Sequence, residues 1–100
     1  MIEIRNWAFM NYQGAYTLSV NDEIRLSGTV TGDARFPDGT FIITSKIISC
    51  IERSIITEKG SHYLLIGSPE KSWEEQCSKK GWNIDHDFPL NNDQVRQNIW

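Results

Sequence analysis

From Ile24 to Ile51 the chain carries two β-patterned runs on either side of a polar elbow, and this pairing limits the fold more than any other feature. Ile24, Leu26, Gly28 and Val30 alternate with Arg25, Ser27, Thr29 and Thr31, the period of a half-buried strand. Residues 40–51, TFIITSKIISCI, are dense in β-branched side chains and apolar on both faces. Phe41, Ile43, Ile47 and Ile51 fall on one face, and Ile42, Ile48 and Cys50 on the other. A strand apolar on both sides is covered on both, and a partner subunit is one candidate for the second cover. Phe36-Pro37-Asp38-Gly39 supplies the turn between the runs. Gly28, on the inward face, marks a bulge or the close approach of another backbone.

The flanks extend the pattern. Residues 2–10 predict a first strand with Ile2 and Ile4 on one face, 11–15 a loop, 16–20 a short β-prone segment and 21–23 a turn. After Glu52-Arg53-Ser54, residues 55–57 and 62–67 read as strands around a loop in which Gly60 takes positive φ. The period then changes, and SPEKSWEEQCSKKGW predicts a helix over 68–81. Ser68 is the expected N-cap, Pro69 the first helical residue, and Glu70 complements the helix dipole. Glu75 and Lys79 stand one turn apart. Gly81 falls at the left-handed position past the C-terminus, with Trp82 placed to touch Cys77. Trp82, Ile84, Phe88, Leu90, Ile99 and Trp100 are too apolar for a solvated tail, so packing on the sheet or on a second subunit is expected. Asn92 would cap a short terminal helix. The expected fold class is α+β: an antiparallel β-meander sheet or small open barrel of about four to six strands, then a C-terminal helix (68–81) and an ordered aromatic tail (82–100). Without repeats or linkers, residues 1–100 form one domain.

Composition removes several function classes. Net charge is −3 and no basic run exceeds Lys79-Lys80, which disfavours nucleic acid as a partner. No signal-peptide pattern opens the chain, and no apolar run nears the ~18 residues of a membrane span. A cytoplasmic protein without a membrane partner is expected. Cys50 and Cys77 read as two reduced thiols rather than a disulfide framework. Asp85-His86-Asp87 alone resembles a metal cluster. Alternate residues of an extended chain point apart, though, and no second ligand lies at metal spacing, so it reads as a solvated loop without metal. The chain has no nucleophile elbow, phosphate loop or dinucleotide fingerprint. Cys50 lies mid-strand and Glu74-Glu75 diverge on the helix. Neither an enzyme nor a cofactor is expected.

The elbow holds the candidate site. Arg35 follows Gly32-Asp33-Ala34 and carries the side chain best suited to two-point recognition of phosphate or carboxylate. Thr44 and Ser45 interrupt a strand that Ile or Val would suit better. On a structural reading, Asp33 and Arg35 form a surface pair while Thr44 and Ser45 bond to backbone at an edge or bulge. On a functional reading, Arg35 holds an anion and Thr44 and Ser45 add hydroxyl contacts. Trp7 or Tyr63, with Phe36 a further aromatic candidate, then stacks on a ring.

The pattern G-x-V-x-G-x-x-R-F-x-D-G-T from Gly28 to Thr40, the following T-S-K-I, Asn6-Trp7 and EKGSHYLLIGSPE from Glu58 to Glu70 together resemble small uncharacterised proteins of phages and prophages. The resemblance covers most of residues 6–76 and is to proteins of the anti-defence type. These include sponges that sequester nucleotide signals, such as those of Thoeris defence. It implies a non-enzymatic homo-oligomer in the host cytoplasm that binds a nucleotide-derived ligand in a pocket at a subunit interface. It transfers no binding residues, so the candidates remain Arg35, Thr44, Ser45, Trp7 and Tyr63. Two other functions fit the same chain. One is a protein-binding inhibitor or immunity-type partner acting through the sheet edge and aromatic tail. The other is a phage structural or assembly component.

Overall fold

The computed structural model describes residues 1–11, 13–16, 23–82 and 84–90. Five strands and one helix follow one another: β1 (Ile2–Met10), β2 (Arg25–Thr31), β3 (Thr40–Ile51), β4 (Ser54–Thr57), β5 (His62–Leu65) and α1 (Lys71–Lys79). This is the expected α+β meander, and it closes into a barrel. Each strand runs antiparallel to the one before it. With an odd strand count the last runs the same way as the first, so β5 pairs in parallel with β1, Ile2 opposite Tyr63 and Ile4 opposite Leu65. Closure leaves β1 no outer edge along that seam.

Three register shifts bend the strands into so small a barrel. They lie between Arg5 and Ala8 of β1, where Asn6 takes φ 50°, between Arg25 and Ser27 of β2, and between Ile47 and Ser49 opposite β4. An inserted residue reverses which face each later side chain occupies. Phe41 and Ile43 share a face as expected, but that face is exposed rather than covered, and Ile47 is buried and Ile48 exposed, the reverse of strict alternation. Beyond its bulge, β1 is buried continuously from Trp7 to Met10 because α1 covers it. Trp7, Phe9 and Trp73 form that layer, with ring centroids 5.4–5.8 Å apart. Such pairs contribute ~0.5–1.5 kcal/mol each beyond burial.

Gly28 is the close approach foreseen from its inward position. A Cβ there would stand 2.7 Å from both the Arg5 carbonyl oxygen and Ile4 Cγ1. The helix differs at its start. Glu70 is the N-cap residue, it makes no side-chain cap bond, and Ser68 and Pro69 precede the helix. Tertiary bonds set this boundary: the Glu70 amide donates to the Trp7 carbonyl at 2.8 Å, and its carboxylate accepts the Tyr16 hydroxyl at 2.7 Å. The other end follows expectation. Gly81 takes φ 75°, Trp82 N–H donates to Cys77 at 2.9 Å and Gly81 N–H to Ser78 at 3.1 Å, the two bonds of a Schellman cap.

Residues 84–90 return across the barrel, where Arg53 ties them down. Its guanidinium donates to the carbonyls of Leu65, Gly67 and His86 and lies 5.8 Å from the Trp7 ring centroid. Leu90 is buried, whereas Phe88 is exposed. Residues 17–20 and 91–100, with the expected Asn92 cap, Ile99 and Trp100, lie outside the described residues. No helix among the described residues is long and apolar enough to cross a membrane.

Candidate functional site

The two halves of β3 have different neighbours. β2 pairs with it from Thr40 to Lys46, while β4 pairs only from Ile47 to Ile51. Among the described residues, no strand continues the second edge of Phe41–Ser45. The gap between this half-strand and the β4–β5 turn is a pit of about 190 Å³. Ile42, Ile43, Thr44 and Ser45 form one wall and Thr57, Lys59, Ser61 and Tyr63 the other. Meander topology puts the β2–β3 loop at this same end of the barrel, where Arg35 and Phe36 complete the lining.

Arg35 is fixed rather than free. Its Nε and Nη2 donate to the two carboxylate oxygens of Asp33 at 3.0 and 2.8 Å, and its amide donates to Oδ1 at 2.9 Å. The Asp33 side chain is 2% exposed, so the pair stands on a buried carboxylate with the guanidinium half in solvent at 51%. Hydrogen bonding to Arg35 holds the Asp33 carboxyl below the usual carboxylate range, against the opposing effect of burial. The same contact, with a bond from Nη2 to the Tyr63 hydroxyl at 3.2 Å, raises Arg35 further above its ordinary value. Arg35 thus links the β2–β3 loop to β5, its charge offset by Asp33. The Phe36 ring lies 5.5 Å from the guanidinium carbon.

Thr44 also has structural work to do. Its hydroxyl accepts the Leu26 amide at 3.1 Å and donates to the Ser45 carbonyl at 2.7 Å, at the register shift between Arg25 and Ser27. A bulge frees a backbone N–H that the ladder cannot pair, and Thr44 supplies its acceptor. This is why a hydroxyl replaces Ile or Val there. The Ser45 hydroxyl accepts the Lys59 amide at a long 3.4 Å and so retains capacity for a ligand.

Arg35, Thr44, Ser45 and Tyr63 therefore come together; Trp7 does not. Trp7 is fully buried beneath α1, its indole N–H on the Gly67 carbonyl at 3.2 Å and Arg53 over its ring. No face of it is open to a ligand, which corrects its assignment as a stacking residue. Tyr63 contributes its hydroxyl, since the residue is 2% exposed. Phe36, at 38% exposure, is the accessible aromatic of the lining. Sequence reasoning missed Thr57, Lys59 and Ser61, having read 58–61 as a hairpin loop. The available signal was the meander itself, which brings the β2–β3 and β4–β5 turns to one end of the barrel and so puts Thr57, Lys59 and Ser61 in the same lining as Arg35.

Other groups point elsewhere. His86 Nε2 meets Glu74 Oε1 at 2.9 Å and Asp87 meets Arg53 at 3.3 Å. No set of three metal-ligating side chains forms among the described residues. Cys50 and Cys77 are free and buried, and burial pushes both thiols up to about 11, unsuited to nucleophilic chemistry. A hollow along α1 is lined by that helix alone, and one beside Arg53 borders the groups that Arg53 already bonds. No protein-family model, curated protein or solved structure matches the chain.

Proposed function

We propose that the protein is a non-catalytic binding protein that takes the anionic end of a small, nucleotide-derived molecule into the pit. One observation carries this reading. The three residues singled out for anion chemistry, Arg35, Thr44 and Ser45, line a single concavity that also holds Lys59, Ser61 and Tyr63 and is lined by no acid. Its volume of about 190 Å³ is below the ~300–1,000 Å³ typical of pockets for drug-sized ligands. The pit seats a phosphate or carboxylate with its nearest atoms, and the ring lies outside against Phe36 and Ile43. A second subunit packed on these exposed apolar residues closes the site. Taken with the resemblance to phage anti-defence proteins, the reading makes the chain a cytoplasmic, homo-oligomeric sponge for a nucleotide immune signal. Calorimetric titration with a nucleotide panel tests it. At least one member should bind the wild type, and Ser45→Trp, which fills the pit, should abolish binding while thermal unfolding stays cooperative. A flat response across the panel, or binding indifferent to Ser45→Trp, rejects it.

A second reading has its own support. β3 exposes Phe41 (56%), Ile43 (48%) and Ile51 (70%), large apolar groups that suit a protein partner. On that reading a single stoichiometric host protein is recovered by pull-down. It is lost in Phe41→Asp and Ile43→Asp and indifferent to Ser45→Trp.

A further inference from the structure

The charges around the pit are unevenly paired, and this constrains what it holds. Arg35 contributes a cation that Asp33 offsets at 2.8 Å, and Lys46, just beyond the lining, is matched by Glu58 at 3.3 Å. Lys59 has no ion-pair partner among the described residues, and no carboxylate lines the pit beside it. The pit therefore presents one uncompensated positive charge, with the hydroxyls of Ser45, Ser61 and Tyr63 around it as neutral hydrogen-bonding groups. A group with two or more negative charges would be matched at one and left with the rest partly desolvated, which is costly. The surplus would also face a chain of net charge −3.

Resting on the binding function proposed above, we infer that the group held in the pit is a singly charged oxyanion, a phosphodiester or a carboxylate, with Lys59 as its counter-ion. Arg35 is then a positioning residue. It closes the end of the pit and holds the Tyr63 hydroxyl, and it adds no net charge because Asp33 is bound to it at two points. Lys59 belongs to the β4–β5 turn, whose backbone is pinned by Glu58 N–H on the Lys46 carbonyl at 2.9 Å and Gly60 N–H on the Thr57 carbonyl at 2.8 Å.

A charge ladder tests this. The full chain is titrated by calorimetry with adenosine cyclic monophosphate, AMP, ADP and magnesium-free ATP, and separately with benzoate. The cyclic nucleotide or benzoate should bind at least about tenfold more tightly than ATP, and Lys59→Gln should lose about tenfold or more, the scale of one charge-assisted contact. Binding of the cyclic nucleotide alone identifies the phosphodiester source, and binding of benzoate alone the carboxylate source. Asp33→Asn releases the Arg35 charge and should shift preference toward AMP, a readout that a merely structural role for the pair would not move. Affinity that rises from cyclic nucleotide to ATP, or that ignores Lys59→Gln, overturns the inference and leaves the binding function standing. Silence from the nucleotides and benzoate alike overturns both.

Discussion

The hydroxyl of Thr44 accepts the backbone amide of Leu26 at 3.1 Å across the β2–β3 register shift, so a polar side chain inside the strand completes the backbone bonding. Thr44→Val removes this acceptor and leaves a buried N–H unpaired. A loss of about 1–3 kcal/mol in urea unfolding is expected, with Thr44→Ser retaining most of the stability. Equal stability of the Val and Ser variants would show that the Leu26 amide finds another partner.

Gly28 allows β1 and β2 to touch. A methyl at this position meets backbone oxygen and the Ile4 side chain, both at 2.7 Å, and the oxygen cannot rotate away. Gly28→Ala should cost about 2–3 kcal/mol, as overpacking in a tight core does, lowering Tm by roughly 10–20 °C in a domain of this size. A shift of only a degree or two would mean that β1 moves aside without penalty.

Acid should weaken the Asp33–Arg35 pair in a defined window. The folded Asp33 carboxyl ionises below its ordinary value because Arg35 bonds to it, whereas the unfolded chain returns it to about 3.9. Its contribution is complete above that pH and disappears as pH falls through the lower folded value. Stability of the wild type and of Asp33→Asn, followed by urea midpoint in steps of pH, should converge in acid. Parallel curves would show that the pair contributes nothing to folding.

Both cysteines should be silent in the native protein. Cys77 is fully buried and Cys50 nearly so, and each thiol ionises near 11. A thiol-reactive chromogenic disulfide at neutral pH should label neither until denaturant is added, and then both. Rapid labelling of the folded chain would show that the barrel opens locally at these positions.

The meander, the bounds of β3 and the C-terminal cap of α1 were legible in the sequence because each rests on local rules: alternation, β-branching and a glycine one step past the helix. Ser68 failed as an N-cap because a contact distant in sequence, Glu70 with Trp7 and Tyr16, set the boundary instead. Ile47 and Ile48 exchanged faces because the register shift opposite Arg25 and Ser27 inserts a residue into β3 ahead of them, and its one mark in the sequence, Thr44-Ser45, reads equally well as part of a site. For the site, Arg35, Thr44 and Ser45 were visible as chemistry out of keeping with a plain hairpin. Their convergence with Lys59 and Ser61 depends on β4 stopping short along β3, a property of pairing that no single segment carries.

The parallel seam between β1 and β5 sets an order of assembly. The β3–β4–β5 meander joins neighbours through short turns, whereas Ile2 must wait for Tyr63 and Ile4 for Leu65. Contacts so remote in the chain raise contact order and slow the folding step that forms them. On the ribosome, β1 emerges well before β5, and its seam-side edge stays unpaired until Tyr63, Leu64 and Leu65 have been made. The seam is thus the interval in which the nascent chain is most open to pairing with a neighbour, and the strand that ends the wait, β5, also carries the Tyr63 hydroxyl into the pit.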